Sequence, residues 1–439
     1  MKVYPKVLVI SINAWKDNSG INTLLNLFKR WDSNKLAQIY TRSDFPNTGK
    51  CMRFFQISEG QLIRSIIPGH RRSGVKLDVS NSVSLNESAG NAALEKKNIA
   101  FAKKHHSWLL DFIRELFWIC IPFNRKGMDD FINEFNPDVI FVPIYPVMYM
   151  NRLQYQILKR SNKKAIAFLG DDNYTYKSGG YNPLFYIYRY FTRRYIRRII
   201  ERCDDVFVMV PKMKREYDDI FRINSILLTK GLDYSNKKFN EKEVGTPIKI
   251  VYTGKMIYGR YKSLAAIASS LREINQEGVK AQLYIYSTDE ITPKLKKLLD
   301  IPNCSFLMGS VPMNQVPQIQ DNADILVFVE SLDWRYKNLA RLSFSTKLTD
   351  YMYAGKCILA IGDKEIAPIE YFADNQSAII ATSYEEIRMK LREIVGNPDI
   401  VKEYAKRAFF CGVRNHNEID IQNKMFEVLS KTGDYDSHR

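Results

Sequence analysis

The sequence predicts an α/β protein made of two doubly wound αβα domains facing across a cleft. Three observations predict it. The chain has 439 residues, more than one hydrophobic core usually serves. Short β-branched runs alternate with helical patterns, the grammar of parallel sheets. That grammar halts at residues 236–247, "NKKFNEKEVGTP", a charged run with Gly and Pro and no apolar period, and then starts again. We therefore expect one domain over 1–235 and a second over 236–410. A last helix over 411–439 would return to the first domain.

The first half opens with "KVLVISI" (6–12), a strand, followed by the loop "NAWKDNSG" and the helical "INTLLNLFKRW". "LAQIYT" (36–41), "PDVIFVPIY" (137–145), "KKAIAFLG" (163–170) and "DDVFVMVP" (204–211) each read as a buried strand entering a polar or glycine-bearing loop. Residues 71–104 lose the pattern and read as a surface insertion. "SWLLDFIRELFW" regains a helical period through Trp108, Leu109, Phe112, Ile113, Leu116 and Phe117. It fits a helix packed on the domain, or one facing a membrane or acceptor. In the second half "IKIVYTG", "AQLYIYS" and "ADILVFVE" are strands, "YKSLAAIASSLREINQEG" is a helix, and Ser383 caps "SYEEIRMKLREIV".

Composition narrows the function classes. Net charge is +17, which favours anionic partners without choosing among nucleic acid, membrane and phosphorylated substrate. No RNA- or DNA-binding signature accompanies the charge, so nucleic acid is not expected. The six cysteines are scattered without a CxxC pair and the five histidines form no cluster, so no metal site is expected. There is no signal-peptide pattern, and no run approaches the roughly 18 apolar residues that span a bilayer. The expected location is cytoplasmic. The basic, tyrosine-rich "YIYRYFTRRYIRRIIERCDD" (186–205), with Arg193, Arg194, Arg197 and Arg198, leaves open peripheral contact with anionic lipid at the inner face of the plasma membrane. A solvated face of a core helix explains it as well.

The chemistry concentrates in "LSFSTKLTDYMYAGKCILAIG" (342–362). Ser343, Ser345 and Thr346 bring hydroxyls to a helix start, where the first turn leaves backbone N–H groups unpaired. Lys347 adds a positive charge, and the combination suits a phosphate or diphosphate. Asp350, one turn on, is an acceptor able to fix a sugar hydroxyl. Gly355 lets the chain leave the helix at positive φ before "CILAIG" enters the core. An ordinary capped helix–strand unit would use the same residues. In "YTGKMIYGRYKSL", Gly254 follows a strand, and Arg260, Lys262 and Lys255 are basic. "FLGDDNYTY" sets Asp171 and Asp172 after a strand, at the edge where α/β sheets hold ligands. Adjacent carboxylates also suit a cation, or one of them turns the loop.

The stretch "STKLTDYMYAGKCILAIG" resembles the donor-binding motif of nucleotide-sugar-dependent glycosyltransferases of GT-B architecture, the GT4-like (glycosyltransferase group 1) family. The resemblance implies that Lys347 contacts the donor pyrophosphate and Asp350 the ribose, with Ser345 and Thr346 supporting the phosphates. It implies diphosphate contacts for Arg260, with Lys262 second, beside Gly254. It makes Gly20, in "NAWKDNSGINTLL", a point of close backbone approach to donor or acceptor. "FLGDDNYTY" resembles the family's "DDW" loop, which puts Asp171 or Asp172 at the transferred sugar or acceptor. One departure stands out. Many retaining members carry Glu eight positions before the ribose-binding acid, and Leu342 occupies that place. Glu330, closing "ADILVFVE", is the candidate to serve the site from another loop.

The resemblance implies transfer of a sugar from a UDP- or GDP-sugar to a hydroxyl of a saccharide or lipid-linked saccharide. It implies a role in bacterial surface polysaccharide or glycoconjugate assembly, no obligatory cofactor or metal, and a lean toward retained configuration. Two other readings stay open. One is a nucleotide-sugar epimerase of the same architecture, which needs no acceptor. The other is a non-catalytic sugar-nucleotide or glycan-binding protein, which the missing Glu makes less remote.

Overall fold

The computed structural model describes residues 4–17, 23–67, 72–78, 108–179 and 182–433. Gly20, with Asn18 and Ser19, lies outside the described residues, as does most of the 71–104 stretch. The chain divides into two compact units. The first comprises residues 1–209, 214–228 and 422–439, and the second 210–213 and 229–421.

The first unit holds an eight-stranded sheet in the order β4-β3-β2-β1-β5-β6-β7-β8. Its strands are β1 (Val7–Ser11), β2 (Leu36–Tyr40), β3 (Arg53–Gln56), β4 (Val75–Asp78), β5 (Val139–Pro143), β6 (Lys164–Leu169), β7 (Asp205–Val208) and β8 (Ile226–Leu227). All pairings are parallel except β3 with β4. β1, β2 and β5 are buried along their whole length. This is why β1 and β5 read as nearly continuous apolar runs rather than alternating ones, while β2 buries the polar Gln38. The antiparallel β4 corrects the expectation for the start of the 71–104 stretch. "VKLD" carries only two apolar residues, because an edge strand covered on one face needs no more.

The second unit holds a six-stranded, wholly parallel sheet in the order β11-β10-β9-β12-β13-β14. Its strands are β9 (Ile248–Thr253), β10 (Ala281–Tyr286), β11 (Ser305–Gly309), β12 (Ile325–Val329), β13 (Cys357–Ile361) and β14 (Ile379–Ala381). Ile250, Leu283, Ile325, Val327, Leu359 and Ile361 form the centre of its core, against Leu264, Ile267 and Leu271 of the helix Arg260–Ile274. Residues 236–247 belong to this unit, where Phe239 packs on the Phe409 ring at 5.6 Å. Apart from the short excursion at 210–213, the chain passes between units at Leu228–Thr229 and again at Ile421–Gln422. Ser383 accepts a 3.1 Å hydrogen bond from the Glu386 amide and so caps its helix. Among the described residues, no helix is long and apolar enough to cross a membrane.

Candidate functional site

The C-terminal ends of β9 and β12 in the second unit deliver the residues that matter. β9 ends in Thr253 and Gly254, whose amide donates to the Tyr286 carbonyl at 2.9 Å. A Cβ on Gly254 would sit 2.0 Å from Lys347 Nζ. The missing side chain of Gly254 is the space the ammonium occupies. Lys347 enters from the first turn of the helix Thr346–Ala354, and its Nζ lies 5.5 Å from the centre of the Tyr252 ring. Burial pushes the Lys347 ammonium down to about 8, Arg260 adds to the effect, and Glu330, Asp289 and Asp350 oppose it.

Arg260 opens the helix Arg260–Ile274 and turns back to the end of β12. Its Nε and Nη2 donate to Glu330 Oε2 at 3.2 and 2.7 Å. Glu330 is buried and comes directly after β12. The helix is capped by Gly259, at φ 79°, where a Cβ would meet Ser331 Oγ at 2.8 Å. Two cations, Arg260 and Lys347, therefore lie together at the strand ends; Glu330 pairs with the arginine, and Asp289 and Asp350 act on the lysine from farther off. An anionic ligand suits such a place.

The other residues divide. Ser345 stands at the N-cap of Thr346–Ala354 with extended backbone, yet its side chain makes no capping hydrogen bond. Gly355 ends that helix in the left-handed region at φ 63°, as its place in the sequence predicts. Lys262 is turned outward and paired with Asp333 at 2.5 Å. Asp350 is paired with Lys230 at 3.1 Å. Leu342 is fully buried, packed as a core residue.

In the first unit the two neighbouring aspartates part company. Asp172 is buried and accepts from the Thr175 amide at 2.9 Å, from the Thr175 hydroxyl, and from Tyr217 Oη at 3.0 Å. It turns the loop, with both of its oxygens engaged by Thr175 and Tyr217. Asp171 is exposed. The arginines of the helix Pro183–Ile200 are mostly engaged by tyrosines. Arg193 lies 4.0 and 4.4 Å from the Tyr174 and Tyr176 rings, and Arg197 donates to Tyr174 Oη at 3.1 Å. Arg194 is exposed. Among the described residues, no group of three or more His, Cys, Asp or Glu side chains could hold a metal ion.

Three site neighbours escaped the sequence reading. Asp289 follows β10, accepts from the Met256 amide at 2.5 Å, and faces Lys347 electrostatically. Its position just past "AQLYIYS" was a usable signal, since strand ends at one sheet edge meet. Tyr252 and Lys230 gave none: one reads as a strand residue, the other as one of many surface lysines.

No protein-family model matches the chain, and no curated protein matches it in sequence. Solved structures do match in fold. The Anabaena HepE structure, a complex with UDP, superposes at TM-score 0.57 with 10% identity over 97% of this chain and all of that one. The chain has the GT-B fold. Sucrose-phosphate synthase of Thermosynechococcus elongatus aligns at TM-score 0.58 and 10% identity, over 97% of this chain and 98% of that one. The N-terminal domain of Candida albicans trehalose-6-phosphate phosphatase aligns at 0.61 and 8%, over 98% and 97%. At such identities the likeness is one of fold, and it extends over both units of this GT-B chain.

Proposed function

We propose that the chain is a glycosyltransferase that moves a sugar from a UDP- or GDP-activated donor to an acceptor hydroxyl. One observation carries the reading. Lys347 and Arg260 converge at the end of β9, with Gly254 emptied of a side chain to admit the lysine. The fold shared with a UDP-complexed protein supports it. In the reaction the acceptor oxygen bonds to the anomeric carbon, the bond from that carbon to the diphosphate oxygen breaks, and the acceptor's proton passes to the departing diphosphate. Negative charge develops on the departing phosphate. Lys347, Arg260 and the N-terminus of Thr346–Ala354 offset that charge. Ser345 and Thr346 support the phosphates, Asp350 takes the ribose hydroxyls, and Lys262 is a peripheral cation. Glu330 orients Arg260. The exposed Asp171 serves the acceptor, with Asp172 turning its loop, and Gly20 is the point of close backbone approach to donor or acceptor. We favour retained configuration, transfer of a hexose, a saccharide or lipid-linked saccharide acceptor, and a role in bacterial surface polysaccharide assembly.

The test is a panel of UDP- and GDP-sugars, titrated calorimetrically and then incubated with saccharide acceptors. Binding followed by acceptor-dependent release of nucleoside diphosphate is expected. Acceptor-free interconversion of the donor would identify an epimerase. Binding without turnover against every acceptor would favour a sugar-nucleotide-binding protein.

We further propose peripheral contact with an anionic membrane through the first unit. The helix Trp108–Cys120 buries Glu115 and Trp118 but leaves Leu116 and Ile119 more than half exposed, beside exposed Ile113 and Phe117. Nearby helix Pro183–Ile200 exposes Leu184, Ile187, Tyr190 and Phe191 and contains no acidic residue. Exposed aliphatic side chains of this density beside arginines suit a lipid surface. Co-sedimentation with phosphatidylglycerol vesicles at low salt is expected, weakening at high salt and on Leu116→Glu. Binding to phosphatidylcholine vesicles alone, or none at low salt, would overturn it.

A further inference from the structure

We infer that Lys230 is a positioning residue that holds the Asp350 carboxylate for the ribose of the donor. The inference rests on the reading of Asp350 as the ribose ligand. It adds a residue from a different part of the chain, 120 positions earlier, which no motif marks.

Lys230 Nζ donates to Asp350 Oδ1 at 3.1 Å. The lysine side chain is 14% exposed and the aspartate 38%. The cation is thus the more buried partner, and the carboxylate keeps access to solvent. A lysine stem enclosed to this degree has already given up its rotamer freedom, so it can fix its partner. Lys230 occupies one oxygen, and an ionised carboxylate has about four lone-pair sites, enough to accept from two ribose hydroxyls besides.

The backbone that carries Lys230 is held on both sides. The Leu232 amide donates to the His416 carbonyl and the Glu418 amide to the Leu232 carbonyl, both at 2.9 Å. Thr229 Oγ1 lies 3.1 Å from His416 Nδ1. A Cβ on Gly231 would fall 2.6 Å from the Glu418 Cα, so the strands of chain touch here. The same His416 ring stacks on Phe344 at 5.4 Å. Phe344 lies two residues before the helix that bears Asp350. One buried histidine therefore anchors both the segment that supplies the lysine and the segment that leads to the carboxylate. The lysine and aspartate meet on a common mount, and the ion pair sets the carboxylate's direction toward a diol rather than leaving it to solvent.

The experiment compares titrations of UDP and GDP with titrations of inorganic pyrophosphate, using the tighter-binding nucleotide and the full chain. Asp350→Asn is the reference for the underlying reading: it should weaken the nucleotide about tenfold and leave pyrophosphate within twofold. Lys230→Met should reproduce that selective loss, and Lys230→Arg, which keeps the charge, should stay within threefold of the wild type. Combining Lys230→Met with Asp350→Asn should add little to either alone. The 2′,3′-dideoxy form of the same nucleotide should bind wild type and Lys230→Met alike, an outcome that a merely destabilised unit would not give. Three results would overturn the inference while leaving Asp350 in place: wild-type nucleotide affinity in Lys230→Met, equal loss of pyrophosphate, or Lys230→Arg as weak as Lys230→Met. If Asp350→Asn itself shows no selective loss, the ribose reading fails, and the role of Lys230 fails with it.

Discussion

Lys347→Ala weakens binding of nucleoside diphosphate by roughly 10- to 100-fold, because a charged hydrogen bond contributes ~1.5–3 kcal/mol. The loss falls equally on the intact donor and on the nucleoside diphosphate, since both carry the diphosphate. Gly254→Ala should approach the same result with the lysine still present, because its Cβ would stand 2.0 Å from Nζ and drive the ammonium off its seat. Affinity should also depend on pH in a defined direction. Burial and Arg260 bring Lys347 down to about 8 in the free protein. A diphosphate beside the amine favours its protonated form, so the bound protein holds the proton to higher pH. Below about 8 the lysine is already charged and affinity is flat; above it, binding must take up a proton and affinity falls. Calorimetric titration at pH 8.5 in buffers of different ionisation enthalpy reads that proton directly. Lys347→Ala should lose the uptake along with the affinity. Unchanged affinity in Lys347→Ala would remove the helix Thr346–Ala354 from the donor site and leave it as a capped core helix.

The parts of the fold that were legible are those where a local pattern has one physical cause. β1, β5 and β12 read as apolar runs because they are covered on both faces of a parallel sheet. Gly355 was legible because only a residue at ease with positive φ ends a helix and turns directly into a strand. The edges were not legible. "VKLD" and "RFFQ" pair with each other by register, which no local period encodes. The first helix shrank to Thr23–Leu27 among the described residues, although "INTLLNLFKRW" has a longer helical period. Its tail leaves the helix as a turn, in which the Trp31 amide donates to the Phe28 carbonyl at 2.9 Å.

The candidate site shows the same division. Lys347 was named from its helix start, and Arg260 and Glu330 through the family resemblance; the structure brings these three together. Their relation was hidden. Nothing in "ADILVFVE" says that its last residue grips an arginine 70 positions earlier. Asp171 and Asp172 were named as a pair, with Asp171 preferred, and it is the hydroxyls of Thr175 and Tyr217 that mark Asp172 as the buried turn-former. The dense arginine run looked like a free cationic face. Tyr174 and Tyr176, contributed by the preceding loop, take up Arg193 instead.

Acidification should destabilise the second unit through His416. The imidazole is almost wholly buried, between Thr229 Oγ1 at Nδ1 and Tyr371 Oη at Nε2, 2.8 Å away, with Phe344 on its face. Burial lowers its pKa to about 4, with only the Lys230 backbone opposing. An unfolded histidine titrates at about 6.5. Between these values the unfolded chain binds a proton that the folded unit refuses. The stability this histidine contributes is complete above about pH 6.5 and drains away as pH falls toward 4. Integrated from pH 7.5 to 5, the loss is roughly 2 kcal/mol, since each unit of differential pKa is worth about 1.4 kcal/mol. Calorimetric melts at the two pH values measure the change, and His416→Gln supplies the comparison. The variant should melt lower at pH 7.5, having lost the ring stack, yet lose about 2 kcal/mol less on acidification, because its side chain takes no proton. Other groups titrate in the same window, but they are common to both proteins and cancel in the difference. Equal acid sensitivity in the two would mean that His416 is protonated in the folded state. The Thr229 and Tyr371 hydroxyls would then be its acceptors, and the anchor beneath Lys230 would be a charged one.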